Sequence, residues 1–150
     1  MIILSGYITS MDLDFNIPGK SLMVVDDDES VLSFLEFSLK QEGFNVIPAR
    51  NAESALERLK TEKPDLFVLD IMLPNMDGFT MCKRLRENPQ FIKTPVLFVT
   101  AYADPSSLTK TQQAGAQGLI EKPIMFNELL VQINDALAGK FSLPTRLKYS

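Results

Sequence analysis

The segment DLFVLD, Asp65 to Asp70, is apolar without alternation and ends in a single acid. A strand of this kind is covered on both faces, as in a parallel sheet flanked by helices. Four other short apolar runs accompany it: SLMVVD from Ser21, FNVIP from Phe44, PVLFVT from Pro95 and QGLIEK from Gln117. The stretches between them have helical spacing. Val31, Phe34, Leu35, Ser38 and Leu39 share a face of the first, which Gly43 closes, and Asn51 can cap a second that turns Ala52, Ala55, Leu56 and Leu59 inward. After a turn containing Pro74 and Asp77-Gly78, FTMCKRLREN forms a third. Asp104 and Pro105 suit the start of a fourth, but Leu108 and Ala114 are its only clear apolar anchors, so it is expected to be the least firmly held. The fifth carries Phe126, Leu129, Leu130, Ile133 and Leu137 on one side and stops at Gly139. Five strand-helix units predict an α/β fold, a doubly wound five-stranded parallel sheet, and right-handed crossovers make 2-1-3-4-5 the natural strand order.

The 150 residues, 45% of them hydrophobic, can furnish one sizeable core. The domain is expected over residues 21–138, with 1–20 a leader or linker and 139–150 a tail or linker. A chain with one cysteine, Cys82, has no internal disulfide, and the absence of histidine excludes zinc sites and His-based triads. No apolar run reaches about 18 residues, and MIILSG lacks the basic start of a secretory signal, so cytoplasmic residence without membrane insertion is expected. Fifteen basic against nineteen acidic residues, with no Lys/Arg block, argue against direct nucleic-acid binding.

In an open parallel sheet, ligands bind beyond the carboxyl ends of the strands. There the first strand ends in Asp26-Asp27-Asp28, the third in Asp70, the fourth in Thr100 and the fifth in Lys122. In the expected order the first and third strands are neighbours, and their carboxylates converge. Two unit charges about 4 Å apart repel by about 4 kcal/mol at an effective dielectric of about 20. An oxygen-preferring cation such as Mg²⁺ offsets this and can bridge to a phosphoryl group. A carboxylate nucleophile, a metal, a lysine and a hydroxyl donor are the parts of a phosphoryl-transfer centre. Asp70 is the preferred nucleophile because it ends the most buried strand alone. The plainer alternative is a solvated acidic turn at Asp26 to Asp28 and an unrelated Asp70.

These residues resemble the receiver domain of bacterial two-component response regulators, the CheY-like family with a flavodoxin-like fold. VVDDDES resembles its first-strand signature, VLDIMLPNMDGF its phosphorylation strand and loop, VTAYAD its threonine strand and IEKPI its lysine-proline strand, over about residues 21–138. The resemblance implies that Asp70 carries the phosphoryl group, with Asp27 binding Mg²⁺ directly, Asp26 mainly through water and the Met72 carbonyl completing the protein ligands. It implies that Thr100 meets the phosphoryl oxygen, that Lys122 pairs with Asp70 or its phosphate, and that the Lys122-Pro123 bond is cis. Gly78 is expected either to take up a backbone conformation a side chain resists or simply to begin a helix, while Pro74 restricts the loop leaving Asp70.

The chain departs from the family where Leu119 stands in place of the usual Tyr or Phe rotor and Ile124 where Phe is frequent. Tyr102 lies beside the expected path of attacking water, or is a surface aromatic of no consequence. The implied function is a phosphoacceptor switch, charged by a histidine kinase or histidine phosphotransfer protein and slowly discharging itself. Its output is expected through a downstream protein or an output domain elsewhere, with a phosphorylation-dependent dimer a further expectation. Two other classes compete: a metal-dependent phosphatase using Asp70, disfavoured by the apolar Met72 and the lack of a cap insertion, and a scaffold that never uses phosphate. The retained charges weigh against a scaffold, which would gain from an apolar pocket.

Overall fold

The computed structural model describes residues 19–140. The expected leader and tail lie outside the described residues, apart from the few that adjoin the domain. In chain order the elements are β1 (Ser21–Val25), α1 (Glu29–Gln41), β2 (Asn45–Ala49), α2 (Ala52–Arg58), β3 (Leu66–Asp70), α3 (Gly78–Arg86), β4 (Val96–Thr100), α4 (Pro105–Ala114), β5 (Gly118–Glu121) and α5 (Phe126–Leu137). All strand pairings are parallel, and the order is β2-β1-β3-β4-β5, as the repeat of units leads one to expect.

Alternation along the strands divides the core into two layers. Met23, Val25, Phe67, Leu69, Phe98 and Leu119 face α2, α3 and α4, whereas Leu22, Val24, Leu66, Val68, Leu97, Val99 and Ile120 face α1 and α5. β3 and β4 are buried throughout, and this is why their sequences do not alternate. β2 is an edge strand and tolerates Pro48.

Four helices begin on a polar cap. Asp28, Asn51, Asp77 and Asp104 accept from backbone N–H groups at the starts of α1, α2, α3 and α4, and α4 has the full capping box with Ser107. The face assigned to α1 needs correction. Leu32, Leu35 and Leu39 meet the sheet, while Val31 and Ser38 are half-buried and Phe34 is 48% exposed. Spacing alone admits either stripe; the packing selects Leu32 and leaves the Phe34 ring edge-on to Phe126 of α5, with centroids 6.1 Å apart. On α5 the buried positions are Leu129, Ile133, Asn134 and Ala136, with Phe126, Leu130 and Leu137 partly buried beside them. On α4, Thr111 and Ala114 are buried and Leu108 only half-buried.

Candidate functional site

The carboxyl ends of β1, β3, β4 and β5 bring Asp26, Asp27, Asp70, Thr100 and Lys122 to one edge of the sheet. Carboxylate oxygens of Asp26, Asp27 and Asp70 all lie within 4.8 Å of one another. The three aspartates after β1 have separate tasks. Asp26 is buried and accepts the Asp28 N–H at 2.8 Å; Asp27 is exposed; Asp28 turns away to cap α1. Asp70 is 4% exposed, and its Oδ1 accepts the Met72 N–H at 3.0 Å.

Lys122 is the counter-charge. Its Nζ lies 2.9 Å from Asp26 Oδ2 and 3.3 Å from Asp70 Oδ2, and its peptide bond to Pro123 is cis. Burial draws the Lys122 ammonium down, but its bonds and charge pairing with Asp26 and Asp70 outweigh this and leave its pKa raised. Burial pushes the Asp26 carboxyl up, and the charge of Asp70 adds to it; the Asp28 N–H and Lys122 oppose the rise without cancelling it. One ammonium shared by two buried carboxylates leaves negative charge over, and Asp27 adds to the excess at the open side. Hard oxygen donors in this number and spacing fit an ion such as Mg²⁺, so the cluster is capable of coordinating a divalent metal.

Gly78 explains how α3 reaches the pocket floor. A Cβ there would lie 2.5 Å from Asp70 O and 2.9 Å from Ile71 Cα, while its N–H donates to Ile71 O at 2.9 Å. The requirement is for space at a helix start rather than for a left-handed backbone. That conformation falls to Asn75, at φ 65°, in the loop after Pro74. The loop borders an open depression of about 580 Å³, lined among others by Asp27, Met72, Asp77 and Lys110 of α4.

Thr100 is at the expected strand end, but its hydroxyl is engaged elsewhere. It donates to Tyr102 O at 2.9 Å and accepts the Tyr102 N–H at 3.2 Å. Leu119 is buried in the layer beneath, and Tyr102 is 70% exposed. Sequence reasoning missed Glu121, whose Oε2 accepts the Ala103 N–H at 3.4 Å. The two-residue period of β5 was the available signal, since it places Glu121 on the face of Leu119; its register pairing with Thr100 comes from the structure. It also missed the capping task of Asp28, for which an Asp before an apolar helical run was the signal.

The response regulator receiver domain family matches residues 22–134. The alkaline phosphatase synthesis transcriptional regulatory protein PhoP of Bacillus subtilis is 38% identical over 119 residues, covering 79% of this chain and 49% of that protein. The transcriptional regulatory protein AfsQ1 of Streptomyces coelicolor is 35% identical over 117 residues, covering 78% and 51%. The chain thus spans about half the length of the curated relatives it matches. Among solved structures, a response regulator described as putative from Chloroflexus aurantiacus superposes with a TM-score of 0.76 at 36% identity, over 80% of this chain and 98% of that one. No helix among the described residues is long and apolar enough to cross a membrane. The chain belongs to the response regulator receiver domain family, and its clustered Asp26, Asp27 and Asp70 equip it for Mg²⁺-dependent phosphoacceptor signalling, including its own phosphorylation and dephosphorylation.

Proposed function

We propose that Asp70 is the phosphoacceptor, taking its phosphoryl group from a phosphohistidine on a histidine kinase or histidine phosphotransfer protein. The observation that carries this is Lys122 Nζ held between Asp26 Oδ2 and Asp70 Oδ2, at 2.9 and 3.3 Å, beside the exposed Asp27. An Asp70 carboxylate oxygen forms the new bond to phosphorus as the P–N bond of the donor breaks and the imidazole leaves with its electron pair. Water later attacks the same phosphorus, returning the Asp70 carboxylate and releasing inorganic phosphate. Asp27, Asp70 and the Met72 carbonyl would hold Mg²⁺, with Asp26 beside them in the same cluster. When bound, the ion supplies positive charge against the phosphoryl oxygens. Lys122 adds a second positive charge, and Thr100 turns its hydroxyl toward the phosphoryl group once it is in place.

The output is a population shift of the surface around α4, β5 and α5, recognised by a downstream protein, by an output domain in a longer protein or by a second copy. Residues 1–20 serve as a leader or linker and 139–150 as a tail or linker, and the protein works in the cytoplasm. Incubation with Mg²⁺ and acetyl phosphate, followed by mass, acid-labile phosphate and sedimentation together, tests the reading. Stoichiometric acid-labile phosphate is expected. Steady turnover of phosphomonoesters without stable incorporation would replace the switch by a phosphatase, and Mg²⁺ binding with no phosphorylation by any donor would leave a scaffold.

A further inference from the structure

Thr100 and Glu121 are register partners on β4 and β5. Because Phe98 and Leu119, two positions earlier on each strand, face α2 to α4, both side chains fall on that same side, beneath the loop of residues 101–104. They divide the loop between them. Thr100 Oγ1 holds both the N–H and the carbonyl of Tyr102, at 3.2 and 2.9 Å, whereas Glu121 Oε2 has only the long 3.4 Å bond from Ala103 N–H. The other oxygen, Oε1, is buried and has no hydrogen-bond partner among the described residues. A buried carboxylate oxygen without a donor is unfavourable, and so is an amide stripped of its acceptor.

Resting on the phosphoacceptor reading of Asp70, we propose that Glu121 is a positioning residue for the switch: its unpartnered oxygen takes over the Tyr102 N–H when Thr100 turns its hydroxyl to the phosphoryl group. The loop exchanges one acceptor for another on the adjacent strand. The Tyr102 N–H keeps a bond in both states, its carbonyl passes to solvent beside an exposed side chain, and the orphaned oxygen of the resting state gains a donor. The phosphorylated arrangement is thereby favoured. A Glu121 that merely latched the resting loop would act with the opposite sign, because its removal would free Thr100 to turn.

Beryllofluoride affinity in Mg²⁺ and amide hydrogen exchange at Tyr102, on the native chain and on Glu121→Ala, decide between them. Glu121→Ala should bind beryllofluoride roughly tenfold more weakly, as expected for a lost bond to a charged acceptor, and should lose Tyr102 protection in the bound form. Unchanged or tighter binding overturns the proposal. Glu121→Gln preserves the shape with a single acceptor oxygen and carries the same test should the alanine variant fail to fold; it too should bind more weakly, and full affinity overturns the proposal. Without beryllofluoride, Thr100→Ala should retain Tyr102 protection that Thr100→Ala/Glu121→Ala loses, and equal exchange in the two overturns the proposal. This last comparison is independent of phosphoryl chemistry. Failure of the native chain to bind beryllofluoride counts against the Asp70 reading, while the Thr100→Ala pair still judges Glu121.

Discussion

α3 and α4 pack on the same face of the sheet and are held very differently. α3 buries Gly78, Met81, Cys82 and Leu85, and its first residue sits so close to the end of β3 that no Cβ fits. α4 buries only Thr111 and Ala114, and its start hangs on the loop that Thr100 and Glu121 hold. Its far end is fastened instead: the Arg86 guanidinium reaches from α3 to Gly115 O at 2.8 and 3.0 Å and to the Phe91 and Thr94 carbonyls at 2.7 Å. The acidic cluster therefore stands on a rigid floor, and α4 beside it is pinned at one end and lightly held at the other. Few buried contacts place that element at the low-stability end of the fold.

Asp70→Asn should remove the chemistry of the α3 side at its source. The amide keeps the carboxylate's shape but is a very poor nucleophile, so phosphate incorporation should vanish while the fold survives, as mass spectrometry and circular dichroism would show. Asp27→Asn should weaken Mg²⁺ binding roughly tenfold or more, and more than Asp26→Asn does, because Asp26 already shares Lys122. A metal titration checks this. Gly78→Ala tests the rigid floor itself: overpacking against Asp70 O and Ile71 Cα should cost about 1 to 3 kcal/mol in urea denaturation.

Tyr102→Ala should shorten the lifetime of the phosphorylated state only a few-fold, since the ring is largely exposed and shields the water path from one side at most. The smallest effect is expected in the pH dependence of the rigid side. Between the ordinary 3.8 and the raised folded value of Asp26, the native state binds more protons than the unfolded chain, so this group makes stability fall as pH rises. Lys122 has the opposite origin: its contribution is complete below 10.5 and is lost as pH climbs through its raised folded value. Urea midpoints of Asp26→Asn and Lys122→Met across these ranges should each lack the corresponding slope.

The layered sheet and the site were legible because their signals are local and redundant. An unalternating β3, acids at the ends of β1 and β3, and Lys122 before Pro123 each mark a strand end without knowledge of the rest. What escaped depends on contacts between elements. Phe34 and Leu32 both satisfy helical spacing, and only the position of α5 decides which faces the sheet. Gly78 carries no sequence mark separating a need for space from a need for an unusual φ. Thr100 was correctly placed at its strand end, yet its bonds to Tyr102 arise from the loop's own turn. Leu119, read as a missing rotor, is packed into the core layer under α2 to α4, so its truncation should cost about 2 to 5 kcal/mol whatever its part in switching.

A phosphoryl group on the rigid side is expected to be reported by the lightly held side. Backbone NMR shifts with and without beryllofluoride, in Mg²⁺, test it most directly. Changes are expected through residues 100–119 as well as at the pocket, with the distant ones lost in Thr100→Ala. Changes confined to residues around Asp26, Asp70 and Lys122 in the native chain would contradict it.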